Sequence, residues 1–313
     1  MPNPLEEFYR HSDFTVSLPS QLKWYPEGFF TKVSPTNEIE VFPMSINDEY
    51  LLKTNDALMS GSADIDIIKS CVPSCTNPEK LLYPDALALM LAVRKATTGD
   101  KFVYYGICEE CVKKATEIVD KNGKQVTDPK ILREQYNLDV EQQEFSFSIS
   151  DKLSHMTYLE DKYEVIEDSL TFELQPLTFE NYNTVNLVSY YQYNLIKLIN
   201  DDSKMDIVQK KEKIYECNKK LIDAGTETIV NGIKRIIAKR TDGSIVDVTN
   251  KDEIREFIRN YKSDSVTRLS KKIEEINATG VSTVGHCVCH QCNHEWDIHR
   301  ISYDISNFFA YGS

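Results

Sequence analysis

Alternation of apolar and polar positions marks a strand at "EIEVFP" from Glu38, and further strands are read at "KFVYYGIC" from Lys101, "QEFSFSI" from Gln143 and "YEVIEDSLTFELQ" from Tyr163. Elsewhere the apolar period lengthens to that of a helix. In "PDALALMLAVRKATTG" Pro84 stands near a helix start, Leu87, Ala88 and Leu91 share a face, and Gly99 closes the segment. Helical patterns dominate from about 178 to 277, interrupted by an edge-like stretch whose Asp242-Gly243 pair predicts a hairpin. Ser45 with Asp48 and Asn250 with Glu253 read as helix caps, and the charges from Lys271 to Glu275 as a solvated helix face. Asn122-Gly123 predicts a hairpin tip, and residues 130–142 read as an exposed insertion. The first thirty residues, rich in proline, polar and aromatic positions, read as an extended arm. "EIEVFPMSINDE" at 38–49 is echoed by "TFELQPLTFENY" at 171–182, each a strand, a proline and a capped helix.

Composition narrows the class. The chain has 313 residues, 41% of them hydrophobic, which is enough for a packed core. A net charge of −13 repels phosphate backbones and anionic membranes, so nucleic-acid binding starts from a low expectation. No apolar run reaches the roughly eighteen residues of a membrane span. The N-terminal "MPNPLEEFYRHSDF" lacks the basic and apolar regions of a signal peptide. The expectation is a protein of the cytosol, or one assembled from it.

The candidate chemistry is in the cysteines. Eight are spread unevenly, and in a reducing compartment close pairs point to metal rather than disulfides. Cys108 with Cys111 and Cys289 with Cys292 are both Cys-x-x-Cys pairs, and each follows a strand-like run. Two intervening residues let both sulfurs face one point when the backbone turns tightly. Four readings stand beside each other. A structural four-cysteine Zn2+ site uses both pairs; thioredoxin-like redox chemistry uses "CEEC", although flanking glutamates oppose a thiolate. A Cys/His site would draw on Cys287, His290, His294 or His299 and leave room for a catalytic water. Finally, some cysteines are unliganded, as Cys71, Cys75 and Cys217 read as small buried apolar residues. A closed four-thiolate site cannot activate water, and no Gly-rich phosphate loop, H-E-x-x-H or G-x-S-x-G motif accompanies it.

The order of these features resembles the T4-type base plate protein family of contractile-tailed phages. The resemblance rests on "LPSQLKWYPEG", the strand with Pro43-Met44 and its acidic helix start, the helix ending in Ala-Thr-Thr-Gly, the strand into Cys108 and Cys111, and "CHQCNHEWDIHRISYDISNFF". It covers roughly 17–111 and 284–311; the middle is unmatched, and Asn293 stands where such knuckles often place glycine. The resemblance implies a non-enzymatic protein of the virion tail baseplate, tied to the hub as assembly factor or component, with other tail proteins (hub or wedge) as partners. Thiol or metal-dependent catalysis at the knuckle and zinc-ribbon nucleic-acid binding are the alternatives.

The expected fold is α+β: mixed strands and helices with a zinc-ribbon-like four-cysteine knuckle joining N- and C-terminal segments. Its expected parts are an arm at 1–35, a first α/β part with the first knuckle at 36–126, a strand-plus-helix middle at 127–283, and the second knuckle with a tail at 284–313. Partner contact is expected from aromatics near the two ends: Trp24, Tyr25, Phe29 and Phe30 on the arm, and Phe308, Phe309 and Tyr311 on the tail.

Overall fold

The structure is a computed structural model that describes residues 5, 9–12, 14–51 and 62–298. Strand β1 (Phe14–Ser17) pairs antiparallel with β2 (Glu38–Val41), and the alternation in "EIEV" puts Ile39 and Val41 fully inside. Pro43 ends β2. The Ser45 amide then donates to Asp48 Oδ2 at 2.6 Å, while Ser45 Oγ accepts from the Asp48 amide at 3.4 Å, opening α1 (Ile46–Leu51).

Helix α2 (Ser62–Cys71) leads to α3 (Tyr83–Thr98), the axis of the first core. The expected stripe on α3 is too narrow. Leu89, Leu91, Ala92 and Val93 are buried along with Ala88, because α3 is surrounded by β1, β2, α2 and α6 (Ile149–Ser154) rather than laid on a surface. Strand β3 (Lys101–Gly106) pairs antiparallel with β4 (Gln143–Ser148), and the chain between them forms α4 (Glu109–Ala115) and α5 (Pro129–Tyr136). The Asn122-Gly123 turn closes with a single bridge, Val119 to Gln125, and not with paired strands.

The second core lies under an antiparallel sheet ordered β5 (Tyr163–Glu167), β6 (Leu170–Leu174), β7 (Ile233–Lys239), β8 (Ile245–Val248). The Asp242-Gly243 turn joins β7 to β8 as expected, with Gly243 at φ +83°. Between β6 and β7 the chain leaves as a long helical hairpin, α7 (Phe179–Asp201) and α8 (Ile207–Gly232). Helices α9 (Lys251–Asn260), capped by Asn250, and α10 (Ser263–Asn277) close the core with Ile254, Leu269 and Ile273. Gly232 is where α8 turns into β7, and a Cβ there would lie 2.7 Å from Ile273 Cδ1, so only glycine permits this approach. The echoed segments share one local form: like the 38–51 stretch, β6 ends before Pro176, and Thr178 Oγ1 then accepts the Asn181 amide at 3.2 Å to cap α7. A last antiparallel pair, β9 (Gly285–Val288) and β10 (Glu295–Ile298), closes the described chain.

The expected extended arm is instead folded onto the body. Residues 18–30 run between the two cores, with Leu18, Phe29 and Phe30 in the first and Trp24 against the second. Burial is the physical reason: two rings that fill the first core lose far more free energy in water than an extended chain regains. Tyr25 packs against both cores and is fixed by polar contacts. Its hydroxyl donates to Asp85 Oδ2 at 2.6 Å and accepts the Leu82 amide at 2.9 Å, while the Ser20 amide donates to Asp85 Oδ1 at 2.9 Å.

Burial pushes the Asp85 carboxyl up to about 6 against the lowering effect of these hydrogen bonds. A carboxyl raised in the folded state favours folding while it is protonated. That contribution is complete below the ordinary carboxyl range and is lost as pH rises through about 6. The Asp85→Asn variant cannot ionise here. Comparing melting temperatures between about pH 4.5 and about pH 7 should therefore show the wild type losing stability relative to the variant.

Candidate metal centre

The two Cys-x-x-Cys pairs arrive on different kinds of turn. Strand β3 runs directly into Cys108, which becomes the N-cap of α4, its Sγ accepting the Cys111 amide at 3.5 Å. The second pair lies in the loop between β9 and β10, where the Cys289 amide donates to the His294 carbonyl at 2.8 Å and the Asn293 amide to the Cys289 carbonyl at 3.1 Å. Closing that loop needs a left-handed residue, and Asn293 supplies it at φ +57°. Asparagine is among the few non-glycine residues that adopt this region readily, so the departure from glycine noted in the sequence is conformationally accommodated.

Though remote in sequence, the four Sγ atoms lie within 4.8 Å of one another. Cys108 to Cys292 and Cys111 to Cys289 are each 3.7 Å apart. A tetrahedral ion with metal–sulfur bonds of about 2.3 Å requires sulfur–sulfur edges of about 3.8 Å. The donor set therefore fits one tetrahedral ion, and four soft sulfurs with no oxygen ligand suit zinc or iron rather than magnesium or calcium. Cys108, Cys111 and Cys289 are fully buried and Cys292 is half-buried.

The stretch 130–142, expected to be an exposed insertion, forms one wall of this centre. Leu132 and Leu138 are buried beside Cys108, Cys111 and Cys289. Asn137, left-handed at the end of α5, donates to the Gln291 carbonyl at 2.6 Å and accepts from Gln291 Nε2 at 2.9 Å. Gln143 at the start of β4 is buried with both ends of its amide on the knuckle: Nε2 donates to Cys289 Sγ at 3.3 Å and Oε1 accepts the His290 amide at 3.0 Å. Sequence reading missed these contacts, since a lone glutamine opening a strand carries no signal of its partner.

The thiols are not electrostatically equal. Burial alone would raise Cys289, but the Cys292 amide, the Gln143 side chain and the Gln291 amide outweigh it and bring Cys289 down to about 6. Burial raises Cys108 and Cys111. A redox nucleophile in "CEEC" would need a lowered thiol instead. The remaining candidates lie elsewhere. Cys287 is buried, raised by burial and then by Asp297, and is not one of the four clustered sulfurs. His290 tilts against the Phe145 ring and His294 stacks on Trp296, neither joining the cluster, while His299 lies outside the described residues. Cys71, Cys75 and Cys217 are buried apart from it, and burial pushes Cys71 to about 12 and Cys75 to about 11.

Of the aromatics expected at a partner surface, Phe29 and Phe30 are only 8% and 9% exposed and belong to the first core. Tyr25 and Trp24 are half-buried. Trp24 stacks on Tyr163 and donates to the Glu160 carbonyl at 3.2 Å, and Trp24 and Tyr25 line a cleft of about 490 Å³ with Pro26, Gln175 and Pro176. Phe308, Phe309 and Tyr311 lie outside the described residues.

With the geometry in place, comparison with known families gives a match over residues 25–310, to the family described as T4 bacteriophage base plate protein. The chain belongs to that family. The match spans the middle region that the sequence resemblance left uncovered, as well as both cysteine pairs. Comparisons with curated proteins and with solved structures gave no match. Family membership points to a structural protein of the phage baseplate, located in the virion tail with other tail proteins as partners. No helix among the described residues is long and apolar enough to cross a membrane.

The left-handed turn yields a direct test of the knuckle. Asn293→Gly should leave stability within about 0.5 kcal/mol, whereas Asn293→Val should cost about 1–3 kcal/mol in chemical denaturation.

Proposed function

We propose that this chain is a non-enzymatic component of the phage baseplate hub, acting in its assembly or structure through protein contacts. One zinc ion, held by Cys108, Cys111, Cys289 and Cys292 in a zinc-ribbon-like clasp, ties the N-terminal and C-terminal parts together. The chain is made in the host cytoplasm and carried into the virion tail, with hub or wedge proteins as its partners. The convergence of four sulfurs on one point, in a member of a baseplate family, is the observation that carries this reading.

Bound there, zinc would supply cross-linking and thiolate stabilisation. With four protein ligands it has no open position for water or substrate, which favours a structural over a catalytic role. The apolar cluster around the sulfurs is small: Ala115, Leu132 and Leu138, with Ile118, Val126, Val140 and Trp296 partly buried. So little apolar burial is a weak tie for three chain segments, and metal coordination offsets the deficit much as it does in small metal-dependent domains. Trp24, beside its cleft, is a candidate partner contact, as are the tail aromatics Phe308, Phe309 and Tyr311.

Metal content, a ligand variant, acid release and co-expression test the reading. Elemental analysis of the purified chain should find one zinc per molecule. Cys108→Ser should lose that zinc and lower the melting temperature, and a zinc-free variant as stable as the wild type would overturn the structural role. Acid should release the metal, because protons compete for the thiolates, and a chromogenic chelator would follow that release as pH falls. Co-expression with the hub and wedge proteins tests the assembly role: the chain should co-purify with at least one of them, and failure to join any tail complex refutes it.

A further inference from the structure

Strand β4 begins at Gln143, and its register against β3 sets Gln143 opposite Gly106. Shortly after Gly106 the same chain reaches Cys108, so the backbone of Gln143 is fixed to the strand that delivers the first cysteine pair. Its side chain serves the other pair. Gln143 and Phe145 share one face of β4, because alternate residues of a strand point the same way. That face lies on the β9–β10 hairpin: Phe145 meets His290 and Trp296, while Gln143 meets Cys289 and His290. Gln143 thus bridges the two knuckles through the chain alone, independently of any ion.

The orientation of its amide is set by its partners. A backbone N–H can only donate, so the His290 amide at 3.0 Å requires Oε1 on its side, and Nε2 is left to face Cys289 Sγ at 3.3 Å. The contact with sulfur is therefore a donated hydrogen bond. Among the described residues no other side-chain amide donates to one of the four clustered sulfurs. Gln143 is 5% exposed and Cys289 is 0% exposed, so water has no access to replace a bond that is lost. A buried polar side chain with both ends committed to the turn of one ligand is arranged as the outer partners of metal ligands are. Such partners orient the ligand and tune its donor strength. Asn137, on the same wall, differs: it hydrogen-bonds the Gln291 carbonyl and side chain, and no sulfur.

We infer that Gln143 is the positioning residue of the metal centre, holding Cys289 in ligating position by both ends of one amide and tuning its sulfur through the N–H···S hydrogen bond. The inference rests on the reading of the four cysteines as a metal site and adds to it a residue that acts through Cys289 without being a ligand. A donated hydrogen bond stabilises the sulfur lone pairs. Removing it lowers the energy of a sulfur-to-metal charge-transfer transition and moves that absorption to longer wavelength.

The full-length chain carries the test, with zinc and cobalt(II) as the probes. Gln143→Met keeps the length of the side chain and removes both hydrogen bonds. Gln143→Glu keeps the acceptor for the His290 amide but sets a carboxylate oxygen against the sulfur in place of the donor. Each variant is expected to bind zinc about 10–100-fold more weakly in competition with a chelator. In each, the sulfur-to-cobalt absorption should move to longer wavelength. Asn137→Ala loosens the same wall without removing a bond to sulfur, so its absorption should stay at the wild-type position. Spectra are read on the cobalt-loaded protein, and the near-isosteric glutamate variant decides by itself if the methionine variant does not fold. Zinc affinity within about threefold of wild type together with an unmoved absorption overturns the inference. The same movement in Asn137→Ala also overturns it, showing a general loosening of the wall. A wild-type chain that takes up neither ion overturns the metal reading itself, whereas a loaded wild type with indifferent Gln143 variants overturns only the role of Gln143.

Discussion

Four sulfur atoms brought to one point are the constraint on which this molecule's connectivity depends. Cys108 and Cys111 follow β3 at the start of α4, Cys289 and Cys292 turn the last hairpin, and the two pairs are remote from each other in sequence. Once they meet, the intervening segment 112–142 has a place. Its helix α5 buries Leu132 and Leu138 against the sulfurs, and Asn137 and Gln143 bind the backbone and sulfur of the opposite knuckle. The edge-on contact of Phe145 with Trp296 extends the same junction from β4 to β10.

The two larger cores are held by different physics. Each is an ordinary apolar interior, one wrapped around α3 and one closed by α9 and α10 against a four-stranded sheet. Their junction is the segment from Leu18 to Phe30, which places Tyr25 on both and sets its hydroxyl on buried Asp85. Buried and hydrogen-bonded, that pair makes the junction specific in a way that apolar contact alone does not. Against this fixed body the α7–α8 hairpin stands apart, with a narrow seam of its own and exposed apolar stripes. A two-core body carrying a long helical pair with exposed apolar stripes suits a protein that works by contact.

Local chemistry was legible wherever a residue acts on its neighbours. The reciprocal cap at Ser45 and Asp48, the proline start and glycine stop of α3, the Asn250 cap and the Asp242-Gly243 hairpin all follow from hydrogen bonds and backbone preferences within a few positions. The cysteine spacing, too, identified the two pairs whose sulfurs cluster, because a Cys-x-x-Cys turn is itself a local geometry. Tertiary structure decided whatever depends on a distant partner. Proline and polar residues made 1–30 read as extended, yet Phe29 and Phe30 are in the core, since burial of two rings outweighs local preference. Polarity made 130–142 read as an insertion, yet Leu132 and Leu138 within it are buried beside the sulfurs. Sequence alone thus determined the elements, their caps and the two cysteine pairs; only the folded chain decided which faces meet, because long-range burial is set by neighbours that periodicity cannot name.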